Sequence, residues 1–144
     1  MNQNPTSDQK STILIVDDSE DMRYLLGQIL EGAEYNVIFA ENGQEALTQA
    51  KLHHPNLILM DLSLPIMSGW EAIVHLRQMS EFDNTPIIAV TAHVTKQEEE
   101  RARSAGATAH IGKPFDFTVL LDCIVTLLIE CQKKDLSPVQ SMNM

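Results

Sequence analysis

Short aliphatic runs alternate along this chain with stretches of helical spacing. Thr12–Val16, Leu57–Met60 and Ile87–Val90 are nearly continuous apolar runs, as expected of strands buried on both faces of a parallel sheet. Asn36–Ala40 and His110–Gly112 are weaker strand signals. Helical signals follow each run. Met22, Leu25, Leu26, Ile29 and Leu30 fit the i, i+3, i+4, i+7, i+8 pattern of an apolar stripe. Asn42, Ser68 and Thr95 each stand three residues before a glutamate, which marks a helix start. Asp116, just after Pro114, is placed to cap the last helix.

These alternations predict five βα units, and hence an α/β fold with an open five-stranded parallel sheet and helices on both faces. Right-handed crossovers favour the strand order 2-1-3-4-5. Residues 1–11 and 132–144 are polar and read as flexible arms, leaving 12–131 as one domain. Ligands in such sheets bind beyond the carboxyl ends of the strands, where the strand order reverses.

Three acids stand at those ends. Asp17 and Asp18 follow the first strand and Asp61 follows the third, its neighbour in the predicted order. Carboxylates brought together repel unless a cation joins them. Oxygen ligands of this kind, with a phosphate oxygen and retained waters, suit Mg²⁺ (or Mn²⁺). Thr91 ends the fourth strand and Lys113 follows the fifth, adding a hydroxyl and an ammonium for a phosphoryl group. Asp61 is the candidate nucleophile, because a carboxylate can carry phosphate as an acyl phosphate. No G-x-x-x-x-G-K-[ST] loop is present, so the donor arrives from outside. A cis Lys113–Pro114 bond would turn the lysine back into the site.

Charge narrows the partners. Ten Lys and Arg against twenty Asp and Glu leave a net −10, which disfavours direct binding to nucleic acid or to an anionic membrane. Cys123 and Cys131 lie eight positions apart in one helical stretch, or ~12 Å, too far for a disulfide. With neither a signal-peptide layout nor a run of spanning length, a cytoplasmic protein is expected.

Taken in order, Ile-Val-Asp17-Asp18-Ser, Leu-Met-Asp61-Leu-Ser-Leu-Pro65-Ile-Met-Ser-Gly69, Ala-Val-Thr91-Ala92 and Lys113-Pro114-Phe resemble the receiver domain of two-component response regulators. The resemblance spans about Thr12 to Glu130 and implies the flavodoxin-like receiver fold. It implies phosphorylation of Asp61 by a histidine kinase or histidine phosphotransfer protein. It also implies Mg²⁺ held by Asp17, Asp18, Asp61 and the Ser63 backbone carbonyl. Thr91, followed by Ala92, and Lys113 would then hold the phosphoryl oxygens and transmit the change. Family members commonly carry Tyr or Phe where this chain has His110, a candidate switch residue. Ser63 and His93 lie two residues beyond Asp61 and Thr91 and are candidates for tuning hydrolysis.

The segment Phe117–Cys131 is unusually apolar for an outer helix, and Val119, Cys123 and Leu127 form a stripe at i, i+4, i+8. That stripe is a candidate homodimer or partner face. The helix from Lys96 reads as solvated. A phosphohydrolase using an aspartyl phosphate, and a receiver-like binding module that is never phosphorylated, are the rival readings. Related phosphohydrolases carry D-x-D after the first strand, whereas Asp17 and Asp18 are adjacent. The downstream partner is not named by the sequence.

Overall fold

The computed structural model describes residues 10–142, with side chains through Gln132. Its elements run β1 (Thr12–Val16), α1 (Glu20–Gly32), β2 (Asn36–Ala40), α2 (Gly43–His53), β3 (Leu57–Asp61), α3 (Gly69–Arg77), β4 (Ile87–Thr91), α4 (Lys96–Ala105), β5 (Ala109–Gly112) and α5 (Phe117–Met142). All pairings are parallel and the strand order is β2-β1-β3-β4-β5, as expected.

The strands alternate their side chains between two layers. Ile13, Ile15, Leu57, Leu59, Ile88 and Val90 pack with Leu26 and Leu30 of α1 and with Leu120 and Ile124 of α5. Leu14, Val16, Ile58, Met60, Ile87 and Ala89 pack on the other face with residues of α2, α3 and α4. Both layers are buried, which is why the three central strands read as unbroken aliphatic runs. The edge strands β2 and β5 bury less, and their signals are correspondingly weaker.

Local chemistry fixes the helix starts. The side chains of Asn42, Ser68 and Thr95 accept the N–H groups of Glu45, Glu71 and Glu98 at 2.8, 3.2 and 3.1 Å. Ser68 and Glu71 form a reciprocal capping box. Asp116 accepts the Thr118 N–H at 2.8 Å at the head of α5. On α4 the Glu99–Arg103 pair closes to 3.6 Å, and only Ala102 of this helix is buried. Arg101 of α4 lies 4.2 Å over the Trp70 ring of α3.

Several expectations shift. On α1, Leu25 is 42% exposed and Gly27 takes its place in the buried face, where a Cβ would come within 2.8 Å of Phe39. The backbone of α5 continues past residue 131 to Met142. The expected arm at 1–11 falls mostly outside the described residues.

Of the stripe on α5, Val119 is exposed at 56%, but Cys123 and Leu127 are half-buried and pack against the α1/α5 core layer. The stripe is therefore not a continuous surface. Spacing alone placed these residues on one line without fixing how that line faces the sheet. Cys123 is a free thiol, and the Cys131 thiol donates to the Asn84 carbonyl at 3.2 Å. Among the described residues no helix is long and apolar enough to cross a membrane.

Candidate functional site

The ends of β1, β3, β4 and β5 deliver four polar side chains to one place. β3 and β4 each run one residue beyond the apolar run and finish on Asp61 and Thr91 themselves. The ladder continues past them: Asp17 N–H donates to Ala40 O, Leu62 N–H to Val90 O and Lys113 N–H to Thr91 O, at 3.1, 2.9 and 2.7 Å. The site is thus framed by backbone hydrogen bonds that involve all five strands.

Asp17, Asp18 and Asp61 each offer a carboxylate oxygen within 4.8 Å of the others. Asp17 and Asp61 are buried, at 3% and 5% exposure, while Asp18 is exposed. Each buried acid is pinned by the amide two residues on: Ser19 N–H donates to Asp17 Oδ1 and Ser63 N–H to Asp61 Oδ1, both at 2.9 Å. Their other oxygens share one cation, the Lys113 Nζ lying 3.3 Å from Asp17 Oδ2 and 3.2 Å from Asp61 Oδ2. The Lys113–Pro114 bond is cis.

Electrostatics follow from this geometry. Burial above all, aided by the Asp17 charge, pushes the Asp61 carboxyl above its ordinary range, against the pull of the Ser63 N–H and the Lys113 ammonium. Burial also pulls the Lys113 ammonium down, but Asp61 and Asp17 together outweigh it and hold the lysine above its usual value. An acid whose folded pKa is raised stabilises the fold only while protonated. In metal-free protein, Asp61 therefore withdraws stability as the pH climbs from about 4 through its raised value. Thermal melts of Asp61→Asn and wild type should converge in acid. They should diverge toward neutrality, with the variant melting higher by roughly 2–4 °C per kcal/mol removed. A gap that does not grow with pH would contradict this.

Thr91 is buried at 2% exposure, and its Oγ1 accepts the His93 N–H at 3.0 Å. Ala92 and His93 are exposed beside it, and Ser63 is exposed beside Asp61. His110 sits on β5, paired in register with Ala89; its Nε2 is buried and has no hydrogen-bond partner. Val119, Cys123 and Leu127 lie on α5 and are not among the residues brought together here.

Some contributors were not visible in the sequence. Ser19 caps α1 by accepting the Met22 N–H at 3.2 Å, but no acid follows at the third position to signal it. Arg23 donates to the Asp17 carbonyl at 2.7 Å and reaches Glu41 at 3.7 Å, bracing the β1–α1 turn. Gly69 starts α3 so close to β3 that a Cβ would overlap the Asp61 carbonyl. In the sequence it is simply one letter of a motif.

Comparison with known proteins agrees with this arrangement. Residues 13–125 match the response regulator receiver domain family. A polar-differentiation response regulator DivK of Brucella ovis is 39% identical over 117 residues, 81% of this chain and 95% of that protein. Among solved structures, the chemotaxis response regulator CheY4 of Vibrio cholerae superposes with a TM-score of 0.79 at 30% identity, covering 83% of this chain and 99% of its own. A CheY-like receiver domain protein from Methanospirillum hungatei gives 0.82 at 32% identity, covering 88% and 99%.

Proposed function

The chain belongs to the response regulator receiver domain family, and we propose that Asp61 accepts a phosphoryl group from a phosphohistidine donor, with Mg²⁺ as cofactor. Receiver domains are signalling modules of two-component systems and not turnover enzymes. Histidine kinases or phosphotransfer proteins phosphorylate them. Neither a phosphohydrolase nor an unphosphorylated binding module is favoured by the family match.

The observation that carries the reading is the convergence of three acids and one lysine from three strand ends, with Lys113 bridging Asp17 and Asp61. The donor set is all hard oxygen, which fits Mg²⁺ or Mn²⁺. Asp17, Asp18, Asp61 and the Ser63 carbonyl would hold the ion, which neutralises charge on phosphoryl oxygens. In transfer, the donor's nitrogen–phosphorus bond breaks as an oxygen–phosphorus bond forms on Asp61. The imidazole leaves with its electron pair and takes a proton from solvent.

Lys113 meets one phosphoryl oxygen and the Thr91 hydroxyl turns from the His93 amide to another. Exchanging these partners biases β4 and α4 between two arrangements. His110, with its unpartnered Nε2, is the residue beneath that movement, and Ala92 lies in the moving turn. Ser63 and His93, exposed at the mouth, flank the approach of water and set how long the acyl phosphate lasts. The free thiol of Cys123 suits a cytoplasmic setting.

Incubating the protein with radiolabelled acetyl phosphate tests the reading. Label that requires Mg²⁺, is abolished by EDTA and is released by acid or hydroxylamine supports an acyl phosphate; label resistant to hydroxylamine refutes it. Lys113→Ala should still accept label, and should bind Mg²⁺ more tightly. Its ammonium competes for both buried carboxylates, and each ~1.4 kcal/mol of relieved repulsion is worth tenfold. Calorimetric titration showing weaker Mg²⁺ binding would overturn that expectation. The same variant should lose any protein contact that beryllofluoride strengthens in wild type.

A further inference from the structure

Asp18 is the one acid of the cluster whose side chain nothing grips. It is exposed, and among the described residues no hydrogen bond or ion pair reaches its carboxylate. Asp17, by contrast, is held by Ser19 and Lys113, and Asp61 by Ser63 and Lys113. Asp18 therefore owes its place to its backbone, and one residue holds that backbone on both sides. The Arg23 Nη1 donates at 2.7 Å to the Asp17 carbonyl, the oxygen of the peptide that leads into Asp18. The Arg23 backbone N–H donates at 3.0 Å to the carbonyl of Ser19, the residue that follows.

The ion pair of Arg23 does not account for its burial. Its side chain is only 15% exposed, and a guanidinium withdrawn from water needs bonds to offset the lost hydration. Its carboxylate partner, Glu41, lies 3.7 Å away with a side chain 65% exposed, and such a pair contributes little. The short bond is the one to the neutral Asp17 carbonyl, a charge-assisted contact with a fixed direction. No ion pair joins Arg23 to Asp17, Asp18 or Asp61 among the described residues. Unlike Lys113, it does not occupy the oxygens that would take a cation.

We propose that Arg23 is a positioning residue for divalent-cation binding: by gripping the Asp17–Asp18 peptide, it aims the free Asp18 carboxylate at the site shared with Asp17 and Asp61. The proposal rests on the reading of this cluster as the Mg²⁺ site. Without that grip, Asp18 has to be ordered when the ion arrives, and the entropy of ordering is subtracted from binding. Groups that orient a metal ligand from outside are worth roughly ten- to a hundredfold in affinity.

The test titrates Mg²⁺ calorimetrically into the full chain as wild type, Arg23→Met, Glu41→Gln, Asp18→Asn and the double variant Arg23→Met with Asp18→Asn. Methionine keeps an unbranched stem suited to a helix and removes the donors and the charge. Arg23→Met should weaken Mg²⁺ binding roughly ten- to a hundredfold. Labelling by acetyl phosphate should need correspondingly more Mg²⁺ for half saturation and still reach within about twofold of the wild-type plateau. Glu41→Gln, which leaves the carbonyl bond in place, should stay within about threefold of wild type. In Asp18→Asn protein, Arg23→Met should add less than about twofold, because the carboxylate it aims is gone.

An equal loss with and without the Asp18 carboxylate would overturn the proposal, since a guanidinium acting by charge alone would still act on Asp17 and Asp61. So would a Glu41→Gln loss as large as that of Arg23→Met, or a lowered plateau with an unmoved half-saturation point. If Arg23→Met does not melt cooperatively, Arg23→Gln, with an amide donor on a shorter stem, enters the same cycle. Wild type that binds Mg²⁺ no better than Arg23→Met overturns the role of Arg23 alone. Wild type that binds no Mg²⁺ overturns the metal reading, and the proposal with it.

Discussion

Asp61→Asn is expected to take acetyl phosphate labelling down by more than about a hundredfold, to background, because an amide is not a nucleophile for phosphorus. The substitution is nearly isosteric. The amide oxygen can still accept the Ser63 N–H at the Oδ1 position, and Asp17 still holds Lys113. The fold should therefore survive, and the melt should rise at neutral pH because a buried charge is gone. Loss of label with a higher melting point separates chemistry from collapse. Asp17 and Asp18 are the only other acids in the cluster, and Asp17 is fully engaged by Ser19 and Lys113. If Asp61→Asn takes label as fast as wild type, the nucleophile is another residue.

Gly69→Ala should damage both stability and chemistry through one atom. Its Cβ would overlap the Asp61 carbonyl and stand 2.7 Å from the Leu62 Cα and 2.9 Å from the Asp61 carbonyl carbon. Those are backbone atoms of a buried strand end, held by the Leu62–Val90 hydrogen bond, and they cannot swing aside as a side chain would. Overpacking of this kind costs about 1–3 kcal/mol. That lowers the melting point by roughly 2–4 °C per kcal/mol at this length. The displacement needed to admit the methyl carries Asp61 with it, and a misplacement of about 1 Å is enough for about a hundredfold in rate. Melting and labelling measured together check this. Unchanged values for both would mean that α3 slides away from β3 freely.

The central strands were legible because burial on both faces leaves an uninterrupted aliphatic signature at Ile13–Val16, Leu57–Met60 and Ile87–Val90. The meeting of Asp17, Asp18 and Asp61 was legible for a topological reason: β1 and β3 are neighbours, so residues at their ends converge. What the sequence withheld was orientation and backbone sign. Hydrophobic periodicity chose Leu25 for the α1 face because glycine has no hydropathy to count, yet Gly27 is what lets α1 approach Phe39. Cys123 and Leu127 share a line with Val119, but only the sheet's position decides that they turn inward. Arg77 carries no sequence signal of its role. Its guanidinium donates to the carbonyls of Gly106 and Phe82 and to the Thr108 hydroxyl. Ile66 gives no hint of its positive φ, because nothing in its chemistry prefers one.

Lys113 makes the acidic cup self-sufficient. A counter-ion tethered by its own backbone cannot diffuse away, so the two buried acids never face each other bare. Asp18, the exposed acid, is the one member of the cluster that the lysine does not bridge. On the proposed reading, the receiving end is shaped before stimulation, and arrival of ion and phosphate is an exchange of partners, not an act of assembly.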